Sequence, residues 1–307
     1  MAENSAISWT RHTWNPWMGC TKVSPACDGC YAEAMMDKRY HKVEWGGPGK
    51  GVGTRVRTSA HTWNDPYRWQ RQAEKDGDRP FVFCASLADI FDNQVDPQWR
   101  ADAFDVMRKT PRLVYLLLTK RPQNVNKLAF EAGGLPRNAA IGTTIEDQKR
   151  ADINVPALLD AKSCTSALFA FVSCEPLLGP IDLNRIHESG VSQYGSRWDS
   201  WESALNGRRF DPWSDGDIDA PKLDWVIAGG ETDQGGHIAR RPHPDWFRSL
   251  RDQCAAAAVP FHFKQWGNWA PPAGLFPPDT LFRAPTKIAG RLLDGGEHNE
   301  FPAVPAL

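Results

Sequence analysis

Short apolar runs alternate along the chain with segments of helical periodicity, and this alternation constrains the fold more than any other feature. The apolar runs predict strands at 81–85, 113–118, 140–143, 168–172, 225–228 and 260–264, with a first strand expected at 6–10. The segments between them predict helices at 97–109, 121–132, 145–161 and 244–258. Uninterrupted apolar strands that alternate with helices are typical of a parallel sheet covered by helices. About seven such units predict an α/β protein with a complete or partial (β/α) TIM-type barrel, and an open doubly wound sheet is the lesser alternative.

Two segments interrupt this alternation. Residues 38–72 are rich in glycine and arginine, whereas residues 188–222 are polar, rich in tryptophan and acidic toward their end. We interpret both as insertions into one barrel domain of residues 1–270. Residues 271–307 are rich in proline and glycine and are expected to pack on the barrel as a tail.

Composition limits the classes of partner. The 307 residues carry a net charge of −1, so attraction to nucleic acid requires a local basic patch. The N-terminal residues lack the pattern of a signal peptide, and no apolar run approaches the roughly 18 residues of a membrane span. We therefore expect a cytoplasmic protein without a membrane partner. In that reducing compartment, clustered cysteines are more often metal ligands or catalysts than disulfides.

Three of the seven cysteines, Cys20, Cys27 and Cys30, form a C-x6-C-x2-C pattern. A structural zinc site normally has four ligands, and His12 or His41 would complete a Cys3His set. An iron–sulfur cluster held by three cysteines instead leaves one iron open to an external ligand. The cysteines follow the first predicted strand, which places them on the C-terminal face where barrel enzymes have their sites. This position favours the cluster, and zinc stays open as the alternative.

Polar and ionisable residues follow the other predicted strands and are expected to line the same mouth. They include Ser86, Asp89, Lys120, Arg121, Thr144, Glu146, Ser173, Glu175, Glu231 and Lys264. A helix cap needs only Ser, Thr, Asp or Asn, so the glutamates and cations exceed that requirement. Lys120, Arg121 and Lys264 are predicted either to bind an anionic substrate or to pair with the three glutamates.

The segment 38–72 carries eight Lys or Arg residues against two Asp or Glu residues, with five Tyr or Trp residues among them. Basic residues interleaved with aromatic ones suit a nucleic-acid backbone with stacked bases. Arg55 and Arg57 are therefore candidate nucleic-acid contacts, together with Lys120 and Arg121. The alternative is a solvated loop whose aromatic residues anchor it to the barrel.

Eight blocks of sequence between about residues 7 and 269 are long enough to be specific. They are "TWNPWMGCTKVSPACDGCYAEAM", "FVFCASLADIFD", "LLLTKRP", "IGTTIEDQ", "VSCEPLLGPID", "VIAGGETDQGG", "ARRPHPDWFRSLRDQC" and "VPFHFKQWG". Together they resemble the three-Cys-motif family of radical-SAM-like proteins, which bacteriophages often encode. The chain departs from the broader radical SAM superfamily in having six residues between its first two motif cysteines, where three are usual. It also has Ser86 to Asp89 where a Gly-Gly-Glu element is usual.

The resemblance implies that Cys20, Cys27 and Cys30 hold a [4Fe–4S] cluster whose open iron binds S-adenosylmethionine. Reduction by an external donor such as a flavodoxin or ferredoxin would then yield a 5′-deoxyadenosyl radical. By strand order, the resemblance places cofactor contacts at Ser86, Asp89, Thr143, Thr144, Glu146, Ser173 and Glu175.

Cys174, next to Glu175 at a strand end, is the candidate radical relay, and Lys264 and Glu231 are further catalytic candidates. The phage association suggests modification or repair of DNA or RNA as the function. A protein or small-molecule substrate is one alternative. A zinc-stabilised nucleic-acid-binding protein without catalysis is another.

Overall fold

The computed structural model describes residues 3–191, 197–210, 217–272 and 280–306. Its centre is a sheet of seven parallel strands that curls into a half-barrel, with β1 and β7 at its two edges. The strands pair in chain order and are β1 (His12–Trp14), β2 (Phe81–Cys84), β3 (Val114–Thr119), β4 (Ala139–Thr144), β5 (Ala170–Cys174), β6 (Trp225–Gly229) and β7 (Phe261–Gln265). This confirms the α/β class and the partial form of the predicted barrel.

Helices cover the outer face of the sheet. They are α1 (Ala60–Asp76), α2 (Pro97–Arg108), α3 (Val125–Glu131) after a 3-10 turn (Pro122–Asn124), α4 (Gln148–Cys164) and α5 (Pro244–Ala256). Two of them begin at aspartates that accept a hydrogen bond from the first turn: Asp96 caps α2 and Asp147 caps α4. The four predicted helices are confirmed to within four residues at each end.

Two elements near the N-terminus differ from the prediction. The first strand begins at His12 and not within residues 6–10, because Ile7 and Trp9 pack on the inner face of the half-barrel. Helix α1 begins within the segment 38–72, which the sequence predicted to be an insertion, and it runs on to Asp76. This helix buries Trp69 and Ala73 in the core between sheet and helices and forms the regular connection from β1 to β2.

The segment 188–222 contributes to an antiparallel sheet between β5 and β6. Its strands are Ile186–Val191, Arg197–Ser203, Arg208–Phe210 and Asp217–Asp219, and residues 192–196 and 211–216 of this segment lie outside the described residues. Near the C-terminus, Trp269–Ala270 pairs with Phe282–Arg283, and a short helix follows at Thr286–Ala289. Residues 298–300 then run antiparallel to β7 and hydrogen-bond to that edge strand.

Successive side chains of each strand point to opposite faces, which separates two cores. Tyr115 and Leu117 of β3 pack against the helices, whereas Val114 and Leu116 face the interior with Phe171 and Trp225. The interior is therefore filled with aromatic and aliphatic residues below the mouth. This alternation decides which residues at the strand ends reach the mouth.

Two buried histidines should make stability depend on pH. His12 stacks on Trp69 with ring centroids 4.4 Å apart, and His262 is hydrogen-bonded to Ser8 at 2.8 Å. Burial lowers the pKa of each imidazole to about 4 from 6.5. Because each imidazole has a higher pKa in the unfolded chain, the unfolded chain takes up protons at a higher pH than the folded one. The free energy of unfolding therefore decreases as the pH falls from 6.5 toward 4.

Each histidine is expected to cost about 2 kcal/mol of unfolding free energy between pH 7 and pH 5. Urea titrations at the two pH values measure this loss in the wild type and in His262→Gln. The variant should lose about 2 kcal/mol less than the wild type over that interval. An equal loss in both proteins would show that His262 does not carry the effect.

Candidate metal centre

The three motif cysteines lie in the segment that leaves β1, at the C-terminal edge of the sheet. All three are free thiols; Cys27 is buried, and Cys20 and Cys30 are half-buried. We call residues 19–30 the thiol loop. Cys20 follows a short strand (Trp17–Met18) that pairs with Val56–Arg57. Cys27 is the last residue of a 3-10 turn (Pro25–Cys27). Cys30 precedes a short helix (Tyr31–Glu33), which continues as a π-helix (Ala34–Arg39).

A β-hairpin accounts for the long gap between Cys20 and Cys27. Its strands are Trp45–Gly47 and Gly51–Gly53, and the gap runs along the first of them. The Gly46 amide donates to the Cys20 carbonyl at 2.9 Å, and the Lys22 amide donates to the Gly46 carbonyl at 3.1 Å. A Cβ on Gly46 would lie 2.3 Å from the Val52 carbonyl oxygen, so only glycine permits this approach. The additional residues of the gap thus serve to dock the thiol loop on the hairpin.

Two cations from the end of β3 face the thiols. Arg121 lies with its Nη1 3.5 Å from the Cys20 Sγ and donates through Nη2 to the Thr21 carbonyl at 2.7 Å. Burial lowers the pKa of Lys120, but Cys27, Cys30, Asp89 and Cys20 together raise it more, so the net shift is upward. Burial also raises the pKa of Cys20 to about 12. Because metal ligation requires thiolates, the two cations supply the charge that would stabilise them.

Two predicted cofactor contacts, Ser86 and Asp89, are engaged by other side chains at the end of β2. The Asp89 carboxylate accepts from the Thr119 hydroxyl at 2.7 Å and from Arg121 Nη1 at 2.8 Å. Ser86 is hydrogen-bonded to the Asn15 amide at 3.0 Å. Asp89 therefore orients Arg121 toward Cys20, and Ser86 fixes the connection between β1 and the thiol loop.

Strand alternation separates the predicted residues of β4, β5 and β7. Thr144, Ser173 and Glu175 lie on the inner side, and Glu175 pairs with Lys264 across the mouth. Lys264 thus pairs with a glutamate, one of the two roles predicted for it. A Cβ on Gly229 would lie 3.4 Å from the Glu175 carboxyl carbon, so glycine leaves room for this pair.

Thr143 and Cys174 lie on the opposite, helix-facing side. The Thr143 hydroxyl donates to the Thr119 carbonyl at 3.0 Å and accepts from Asn154 of α4. Cys174 is fully buried in the core between sheet and helices near Cys254, and burial raises its pKa well above the usual value. The predictions of Thr143 as a cofactor contact and Cys174 as a radical relay are therefore corrected, because neither side chain reaches the mouth.

Glu146 is a predicted cofactor residue that contacts the thiol loop directly. Its side chain is buried, and Oε1 accepts from the Ala26 amide at 3.4 Å and lies 3.8 Å from Arg150 Nε. Oε2 is buried and has no hydrogen-bond partner among the described residues. A buried carboxylate oxygen left open in this way is an acceptor for a ligand donor.

Glu231 has partners that sequence reasoning missed. Arg240 donates to its carboxylate through Nε at 2.9 Å and through Nη2 at 2.6 Å, and His237 Nε2 lies 3.0 Å from Oε1. Burial raises the pKa of Glu231, but the bonds from Arg240 and His237 lower it more, so the net shift is downward. The carboxylate predicted to be catalytic is thus held by Arg240, and the His237 imidazole lies beside it. The sequence signal for the contact between Glu231 and Arg240 is the two consecutive arginines before Pro242. It does not specify which carboxylate either arginine contacts.

The two arginines predicted to contact nucleic acid make contacts within the chain. Arg55 Nε donates to Asp92 at 2.8 Å, and both side chains are buried. Arg57 lies 4.1 Å from the Trp63 ring centroid and pairs with Asp102 at 2.8 Å. Among the described residues, the exposed cations of this segment that have no ion-pair partner are Lys38, Arg39, Lys42, Lys50 and Arg71.

The histidines considered as fourth zinc ligands do not join the thiols. His12 lies at the start of β1 and is stacked on Trp69, and His41 is an exposed turn residue with a φ of 49°. Within the described ranges, no group of three His, Cys, Asp or Glu side chains is arranged to hold a metal ion.

The fold and site define an α/β protein in which a parallel half-barrel carries a three-cysteine loop at its C-terminal mouth. Residues 4–302 match the family described as "Protein of unknown function (DUF5131)", and the chain belongs to that family. No curated protein and no solved structure matches the chain. Among the helices of the described residues, none has the length and apolar character to span a bilayer.

Proposed function

We propose that this protein is a cytoplasmic radical S-adenosylmethionine enzyme in which Cys20, Cys27 and Cys30 hold a [4Fe–4S] cluster. The supporting observation is that the three free thiols lie in one loop at the C-terminal edge of a parallel half-barrel, and that each of them interacts with Lys120. The donor set fits this group, because three thiolates leave one iron for an external ligand. When bound, cluster and S-adenosylmethionine would supply a 5′-deoxyadenosyl radical after one-electron reduction by a flavodoxin or ferredoxin.

The chain's own residues bind and orient in this proposal. Lys120 and Arg121 offset the negative charge of the thiolates, and Asp89 holds Arg121 in place. Glu146 Oε2 offers an acceptor for a hydroxyl or ammonium group of S-adenosylmethionine. Glu175 and Lys264 close the inner side of the mouth as an ion pair.

Replacing Glu146 by glutamine is expected to weaken S-adenosylmethionine binding by roughly tenfold or more, because the ligand then loses a charged acceptor. The measurements are the affinity of the iron-loaded protein for S-adenosylmethionine and the formation of 5′-deoxyadenosine with a chemical reductant. Glu202→Gln is the matched control, since Glu202 is equally buried but lies in the antiparallel sheet. If the iron-loaded wild type forms no 5′-deoxyadenosine above the reductant background, the proposal is overturned.

A nucleic acid or nucleotide is the substrate class that we infer. The support is that three of the exposed cations without ion-pair partners, Arg39, Lys42 and Lys50, lie on the elements that surround the thiol loop. Tyr31, at the start of the helix that follows Cys30, is 51% exposed and available to stack on bases. Tyr40, directly after the π-helix, is 45% exposed, and the Arg39 guanidinium lies 5.2 Å from its ring centroid. These residues replace Arg55 and Arg57 as the candidate contacts.

Substituting Lys42 and Lys50 by alanine should weaken binding to single-stranded DNA or RNA. The salt slope of the affinity should fall by about one for each phosphate that the variant no longer neutralises. Titrations at several salt concentrations measure this effect. Arg71→Ala, which removes an exposed cation from α1, should leave both quantities unchanged. Binding that is insensitive to salt and to the double substitution would instead favour a protein or small-molecule substrate.

A further inference from the structure

The loop that follows β6 crosses the thiol loop and its helix. We call residues 231–240 the strap. A Cβ on Gly235 would lie 3.0 Å from the Ala34 Cβ, and Lys38 Nζ donates to the Gly235 carbonyl at 3.3 Å. A Cβ on Gly29 would lie 2.6 Å from the His237 ring, so the imidazole is seated directly on the thiol loop. The strap is therefore in contact with the residues on both sides of Cys30.

Arg240 makes the contact nearest to Cys27. Its Nη2 donates to the Pro25 carbonyl at 3.0 Å, and its Nη1 lies 3.3 Å from the Asp28 carboxylate. Glu231 fixes this guanidinium through Nε and Nη2 and also accepts from the Arg240 amide at 2.8 Å. Because Glu231 takes one edge of the guanidinium, the other edge is presented to the turn that carries Cys27.

The base of the strap is attached elsewhere. The Asp233 amide donates to the Asn268 side chain at 2.9 Å, and Arg283 pairs with the Asp233 carboxylate at 2.6 Å. The Trp269 indole donates to the Ala239 carbonyl at 3.0 Å. These contacts anchor the strap to the segment after β7, so the thiol loop is held against a fixed support.

We infer that Arg240 is a positioning residue that clamps the 3-10 turn of the thiol loop, and that Glu231 acts by holding Arg240 and not on a substrate. The turn has two internal backbone bonds, from the Cys27 amide to Ser24 and from the Asp28 amide to Pro25. Besides the Ala26 amide, which donates to Glu146, Arg240 supplies the contact that ties this turn to the strap. Without it, the part of the loop between Cys20 and Cys27 regains conformational freedom that metal binding must then remove. The purpose of the clamp depends on the proposed function, but its effect on the loop does not.

The test uses the full-length, metal-free protein, with alkylation of each cysteine followed by mass spectrometry. Buried thiols react when the structure around them opens, so the rates report local opening at Cys27 and global opening at Cys254. Arg240→Ala should raise the Cys27 rate by roughly tenfold or more and leave the Cys254 rate unchanged. Glu231→Gln should raise the Cys27 rate less. Arg251→Ala, which breaks the pair between Arg251 of α5 and Asp294, is the matched control and should change neither rate.

Two results would overturn the clamp: an unchanged Cys27 rate in Arg240→Ala, or equal rises at Cys27 and Cys254. The iron-loaded protein gives a second readout, since Arg240→Ala should release iron to a chelator roughly tenfold faster than the wild type. If the wild type binds no iron at all, the proposed function fails, and the alkylation rates still decide whether the clamp exists.

Discussion

Cys27→Ala is expected to abolish iron and sulfide binding and to leave the chain folded. The Cys27 side chain is buried in the thiol loop, outside the hydrophobic clusters of the described residues, so its loss leaves the main cores intact. Removal of one thiolate from a three-thiolate set leaves two ligands, which is too few for a stable cluster. The measurements are iron and sulfide per chain after anaerobic reconstitution, together with the thermal unfolding midpoint.

Cys254→Ala provides the matched control for this experiment. Cys254 is buried in α5 between sheet and helices, where its thiol behaves as a small apolar group. The variant should bind iron and sulfide as the wild type does, with a lower unfolding midpoint. Full iron content in Cys27→Ala would exclude Cys27 as a ligand.

Arg55→Ala is expected to lower the free energy of unfolding by about 3–5 kcal/mol, because it leaves the buried Asp92 carboxylate without its partner. The exposed fractions of the two side chains are 5% and 1%. Arg55 also donates to the Thr21 hydroxyl at 2.8 Å and to the Val52 carbonyl at 2.7 Å, so it joins the thiol loop to the hairpin. Urea unfolding measures the loss.

Arg57→Ala is the matched control for Arg55→Ala. The Arg57–Asp102 pair is about one-third exposed on each side, so its removal should cost about 1 kcal/mol or less. Adding Asp92→Asn to Arg55→Ala should restore part of the stability, because the double variant no longer buries an unpaired charge. If Arg55→Ala instead weakens nucleic-acid binding without loss of stability, Arg55 is a surface contact. That result would contradict the buried ion pair between Arg55 and Asp92.

Much of the half-barrel could be predicted because its strands are unbroken apolar runs, the strongest local signal of a buried parallel sheet. β1 lacked that signal, since its three residues, His12 to Trp14, include no aliphatic side chain. Helix α1 was missed because Pro66 lies within it and its buried face also includes polar residues, Asp65 and Gln70. In β1 and α1, the local sequence pattern does not determine the secondary structure, and packing against the rest of the protein does.

The position of the site could be predicted from the sequence, but the partners of its charged side chains could not. That polar residues gather at the C-terminal edge follows from the parallel sheet, but whether Ser173 or Cys174 faces the mouth depends on strand register. The pairing of Arg121 with Asp89 and of Arg240 with Glu231 depends on loop conformations. Charge alone does not distinguish these partners from the other carboxylates near the mouth.

The metal content of anaerobically purified protein, read together with its absorption spectrum, tests the proposed [4Fe–4S] cluster directly. We expect about four iron and four sulfide per chain after reconstitution, with a visible sulfide-to-iron charge-transfer band that reduction bleaches. One zinc ion per chain, without sulfide and without the band, would contradict the proposed cluster and support a zinc-stabilised binding protein instead.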